Sequence, residues 1–171
     1  MNINEIKIPE GNSLKSEIEE IVKLCVEKEN ESTSHFKEPV AEGDMEKWEN
    51  ENDIKIPETY KEWLRFSNGS QIDGSTATFL GVDRIVVNSK YIPEDLVIIG
   101  HLIGDGEVLC FSKETGKFVR FFEGRENGMF DNFNEVLKKI IRLVSGESSI
   151  TDEKIQEMLL KVKEMRERGE L

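Results

Sequence analysis

The spacing of apolar residues changes character twice along this chain, and those two changes restrict the fold more than any other feature of the sequence. Up to Phe66, large apolar side chains recur every three or four residues, the period of a helix with one buried face. From Thr76 to Phe122 they come instead as short β-rich runs separated by turn residues: "TATFLG", "RIVVN", "LVIIGHLI", "GEVLCFS" and "KFVRFF". At Asp131 the helical period returns. Helices, then strands, then helices predict an α+β fold, with an antiparallel or mixed central sheet of about five strands packed against helices and extra helices at both ends. "GDGE" (104–107) and "KETGK" (113–117) are turns of hairpin length, so the last three runs read as an antiparallel meander. "LVIIG" is continuously apolar, as a central strand covered on both faces requires.

The helical segments carry their own punctuation. Residues 13–29 have Ser13 as an N-cap candidate and Leu14, Ile18, Ile21, Val22 and Cys25 on one side. Polar residues 30–43 read as a connecting loop, and Asp44 as the cap of a short helix, "MEKWENEN", with Met45 and Trp48 turned inward. Pro57 fixes φ and lacks an N–H, which suits the first turn of the next helix. Tyr60, Trp63, Leu64 and Ser67 then fall on one stripe beside Phe66, and Asn68-Gly69 is expected to stop the helix through a left-handed glycine. Residues 131–146 place Phe133, Val136, Leu137, Ile140, Ile141 and Val144 on one face before Gly146, and a last, strongly charged helix follows over 151–168.

The formal charge is −12, spread along the whole chain with no acidic tail. Such a field repels nucleic acid and anionic membranes and draws basic partners inward. No apolar run approaches the ~18–20 residues of a membrane span. The first residues, "MNINEIKIPEGNSLKSE", lack the basic start and apolar block of a signal peptide, so the expected location is the cytoplasm. Cys25 and Cys110 fall in apolar surroundings and read as reduced, buried thiols, not a disulfide or zinc ligands. Of the two histidines, His35 lies in the polar loop; His101 interrupts an apolar strand ahead of Asp105 and Glu107. A structural strand-end histidine is the preferred reading over a metal site or a hydrolase centre there. No nucleophile elbow, phosphate loop or GxGxxG occurs. The expectation is a protein without catalytic residues, metal or other cofactor.

The ordered series "MEKWENEND", "IKIPETYKEWLRFSNGS", "PEDLVIIGHLIGDGEVLCFS", "TGKFVRFF" and "FDNFNEVLKKII" resembles the SUKH superfamily of Smi/Knr-type domains, which includes bacterial toxin-immunity proteins and fungal cell-wall regulators. The resemblance covers roughly residues 43–145, the core of what reads as a single domain over 1–171. Residues 1–42 then form an N-terminal helix and loop, and 146–171 a C-terminal helical extension. Pro57, Tyr60, Trp63, Leu64, Asn68, Gly69 and Gly106 look like its fold-defining positions. Glu107 stands where many members place an aspartate, and the terminal helices are less typical of the superfamily. What the resemblance implies is a non-catalytic protein-binding domain: an immunity protein that neutralises a secreted bacterial toxin by stoichiometric binding, or a regulatory adaptor for a cell-wall-assembly or signalling partner. The acidic charge suits a basic toxin domain, for instance a nuclease. Charge and loop position make Asp73, Asp83, Glu94, Asp95, Asp105 and Glu107 the candidate contacts.

Overall fold

The computed structural model describes residues 5–103, 106–147 and 152–169, with the backbone alone over 152–158. Among these residues, seven strands form one antiparallel sheet in strict chain order. They are β1 (His35–Phe36), β2 (Ser70–Ile72), β3 (Ala77–Phe79), β4 (Leu96–Leu102), β5 (Glu107–Ser112), β6 (Phe118–Phe122) and β7 (Arg125–Phe130). The helices are α1 (Lys15–Glu27), α2 (Glu42–Asn52), α3 (Glu58–Phe66), α4 (Phe133–Ser145) and α5 (Asp152–Glu167). The α+β class and the β4–β5–β6 meander are as expected; the strand count of about five is corrected to seven.

Two kinds of strand account for the difference. β1 and β2 are too short to show alternation, and "RENGMF" in β7 is polar and exposed, as an edge strand protected against further pairing must be. Conversely "RIVVN" is not a strand. Val82–Arg84 is a 3-10 turn, and only Val86 joins the sheet, through a single bridge to Ile98.

Alternation along β4 divides the interior in two. Val97, Ile99 and Leu102 point to the helical side, where they join Leu109, Phe111 and Phe118 and the buried faces of α1, α3 and α4. Leu96 and Ile98 point the other way and pack with Cys110, Val119 and Phe121. That second cluster is covered by Leu80 and Ile92 of the β3–β4 connection. Both faces of β4 are therefore covered, as its unbroken apolar sequence predicts. Gly100 follows the bulge of β4 against β5 and is needed where β4 passes β3, because a Cβ there would lie 2.4 Å from the Thr78 carbonyl oxygen.

Helix α3 lies at the centre of the helical layer. Tyr60, Trp63, Leu64 and Phe66 are all fully buried. Trp63 meets Phe79 at 5.0 Å, Phe66 at 5.2 Å, Phe133 at 5.9 Å and Phe36 at 6.4 Å between ring centroids. The Tyr60 hydroxyl donates to the Leu80 carbonyl at 2.6 Å, tying helix to sheet. Pro57 is the N-cap, but the C-terminus differs from expectation: the chain turns extended already at Ser67. Gly69, at φ +108°, serves the turn into β2, and the Ser67 hydroxyl bridges it by donating to the Gly69 carbonyl and accepting from the Lys37 N–H. Asn68 accepts the Val82 N–H at 2.8 Å, so its role is to hold the 3-10 turn and not to stop the helix.

Caps differ in similar ways. The Asn12 side chain, not Ser13, secures the start of α1, accepting the Leu14 N–H at 2.9 Å and donating to the Glu62 carbonyl of α3 at 2.9 Å. Helix α2 begins three residues before the expected Met45, which leaves Asp44 inside its first turn. Helix α4 follows its sequence closely: Asn132 accepts the Glu135 N–H while Glu135 accepts the Asp131 N–H, and Gly146 closes it at φ +72°. Along α1, Leu14, Ile18, Ile21, Leu24 and Cys25 belong to the same hydrophobic cluster as the α4 stripe.

Candidate protein-docking groove

Helix α2 is polar nearly throughout, and two residues fasten it. Met45 is buried in the core, and Glu49 is buried just after it. Glu49 accepts the Ile56 N–H at 2.9 Å and bonds Lys61 at 2.8 Å and Lys55 at 3.2 Å. Burial alone would push the Glu49 carboxyl up, yet the bonds from Lys61, Ile56 and Lys55 outweigh it and hold it below the usual carboxylate range. With those two positions anchored, Trp48, expected to face inward, is only half-buried. It lies in a groove of about 570 Å³. Asp44, Lys47 and Glu51 of α2 form one wall; Lys37, Glu38 and Pro39, Asn68 and the Val82–Asp83 step form the other. Four carboxylates and two lysines thus surround one accessible indole.

The six acidic residues proposed as contacts do not converge on one surface. Asp83 lines this groove and is exposed; Glu94 is exposed at the turn ahead of β4. Asp105 lies outside the described residues. The remaining three are bonded internally. Asp73 accepts the Ser32 and Thr76 hydroxyls and pairs with Lys28 at 3.6 Å, joining the α1–β1 loop to the β2–β3 turn. Asp95 accepts the Ser112 hydroxyl at 2.6 Å and the Glu114 N–H at 3.1 Å, tying β4 to the β5–β6 turn. Glu107 is buried on the helical side of the sheet, bonded by Arg120 through two contacts of 2.7 Å and by Asn127 at 2.6 Å. Burial would raise its carboxyl; the Arg120 and Asn127 bonds, with the charges of Arg120 and Lys139, hold it low. Trp48, Glu38, Asp44 and Glu51 had no place among the expected contacts, although a lone tryptophan on an otherwise polar helix was a usable signal.

Reactive chemistry finds little purchase. Both cysteines are free and buried, and burial pushes the Cys110 thiol up to about 12, away from thiolate. Among the described residues, no group of three or more His, Cys, Asp or Glu side chains is placed to hold a metal ion. Nor is any helix there long and apolar enough to cross a membrane.

Residues 39–139, more than half of the chain, match the model of the SMI1 / KNR4 family (SUKH-1). The chain belongs to this family. The matched span contains α2, α3, strands β2 to β7 and the first half of α4, together with both groove walls except Lys37 and Glu38. SMI1 / KNR4 membership fits a non-catalytic immunity or regulatory domain that acts by binding protein. No curated protein matches the chain.

Proposed function

We propose that this SMI1 / KNR4 domain is a cytoplasmic immunity protein that neutralises a basic bacterial toxin domain, such as a nuclease, by stoichiometric occlusion. The observation that carries the reading is the groove beside α2, where Trp48 is ringed by Glu38, Asp44, Glu51 and Asp83. An aromatic anchor in a charged rim is the composition of a binding hot spot, and a carboxylate rim complements a surface built to hold phosphate. The net charge of −12 adds long-range attraction for such a partner. Of the acidic residues singled out from sequence, Asp83 and Glu94 remain available as contacts.

A regulatory adaptor is the second reading, and α5 favours it. Leu159, Leu160, Val162 and Met165 are exposed on that helix, as a docking element for another protein would leave them. Capture of partners on the tagged full chain, eluted by a salt gradient and identified by mass, separates the two. A basic toxin domain released only at raised salt, and lost on Trp48→Ala with Asp83→Lys, supports immunity. A signalling or cell-wall partner lost on deleting residues 147–171, but indifferent to Trp48, supports the adaptor. Binding of a toxin that neither salt nor the groove variants weaken would refute the groove as the contact.

A further inference from the structure

A second cleft adjoins the acidic groove across the Gly81–Asp83 step, and its chemistry is opposite. It encloses about 210 Å³ and is lined by His35, Lys37, Gln71, Thr78 and Arg84 with the backbone between them, and by no acidic residue. Cross-strand pairing sets His35 opposite Gln71 and Gln71 opposite Thr78, one row of side chains on one face of the sheet. The adjacent row, Phe36, Ser70 and Phe79, is buried, so the His35 row faces away from the helices. Lys37 returns to that face two residues on, its N–H donating to the Gly69 carbonyl at 3.1 Å. Lys37 stands between the two clefts and lines both, whereas Glu38, the next residue, lines the acidic groove alone. Arg84 reaches the cleft from the 3-10 turn.

Two glycines keep the floor clear. A Cβ on Gly69 would lie 3.1 Å from the Gly81 nitrogen, and one on Gly81 would lie 2.5 Å from the Asn68 carbonyl oxygen. The basic side chains on the rim differ from two arginines that are bound up elsewhere in the fold. Arg65 is bonded to Glu42, Glu58 and Glu62, and Arg120 to Glu107. The His35, Lys37 and Arg84 side chains form no ion pair or hydrogen bond among the described residues. In a protein with twelve more acids than bases, three basic side chains from two segments line this cleft; the Asp83 carboxylate stands beside Gly81 but is not part of the lining. The positive charges of Lys37 and Arg84 favour an anion between them.

We infer that this cleft is a binding site for a single phosphate-type oxyanion, held by His35, Lys37 and Arg84. A volume of 210 Å³ is room for about seven waters at about 30 Å³ each, below the ~300 Å³ of sites that enclose drug-sized molecules. It suits one tetrahedral group, with a guanidinium fork for two oxygens, an ammonium for a third and the Gln71 amide and Thr78 hydroxyl as neutral donors. The inference is independent of the immunity reading.

The test is an amide chemical-shift titration of the ¹⁵N-labelled full chain with inorganic phosphate, with acetate, and with phosphoserine, at constant ionic strength. The expected result is saturable shifts confined to residues 35–37, 69–71 and 78–84, stronger for phosphate than for acetate. Lys37→Ala with Arg84→Ala weakens binding about tenfold or more, while Lys138→Ala on the exposed face of α4 leaves it unchanged. Phosphoserine binding as tightly as free phosphate assigns the site to a phosphate ester; phosphate alone binding assigns it to the free ion. Shifts that are linear in concentration, that appear equally with acetate, or that survive the double substitution overturn the proposal. Lys37→Gln, which keeps the side-chain stem, replaces the double variant if its spectrum shows loss of fold.

Discussion

Glu107→Leu is expected to unfold this protein more readily by about 3 kcal/mol, and it tests whether the residue belongs to the interior or to a partner. The substitution removes the carboxylate that Arg120 grips through two bonds of 2.7 Å and that Asn127 bonds at 2.6 Å. It leaves a guanidinium whose side chain is 15% exposed with no counter-charge. Stranding one member of a buried pair costs about 3–5 kcal/mol, and the residual exposure of Arg120 to water argues for the lower end. For a chain of this size that is a fall of roughly 6–12 °C in Tm. Adding Arg120→Met removes the stranded charge, so the double variant should recover to within about 1 kcal/mol of the parent. Urea melts of the parent, both single variants and the double variant give the four values needed. A loss of less than about 1 kcal/mol in Glu107→Leu, or a double variant no better than the single, would refute the assignment of this pair to the fold.

Two further outcomes rest on the same interior. Trp63→Ala should cost about 3–5 kcal/mol by chemical denaturation, because the ring is fully buried among four phenylalanines that cannot all collapse into the space it leaves. Glu49, Asp73 and Glu107 are held below their ordinary pKa by the bonds they accept. The folded chain therefore binds fewer protons than the unfolded chain, and their stabilisation, complete above the unfolded carboxylate range, is lost as pH falls through about 4.5 and below. Melting temperature should drop across that window, less steeply for the double variant lacking Glu107; an unchanged slope would contradict the role of that carboxylate.

What could be read from the sequence is what the chain decides over a few residues. The α4 stripe, the capping exchange between Asn132 and Glu135 and the Gly146 stop are local, because helical partners lie three or four positions apart. The apolar runs of β4, β5 and β6 were visible for the same reason: each buries enough surface to show its own pattern. Family resemblance rested on the order of those elements, and residues 39–139 carry it.

Tertiary structure decided everything whose partner is distant. β1 is two residues long and exists because His35 and Phe36 pair with Gln71 and Ser70, more than thirty positions away. Val82–Arg84 carries strand-like residues on either side yet turns, since Asn68 captures the Val82 N–H and Gly81 fits against the Asn68 carbonyl. Among the acids, composition treats Glu107, Asp95 and Asp83 alike. Arg120, reached only when β6 pairs with β5, draws the first inside; Ser112 engages the second; the third faces the groove beside Trp48. A carboxylate's role depends on which donors the fold brings within about 3 Å, and that proximity is a property of the packed sheet and not of any segment alone.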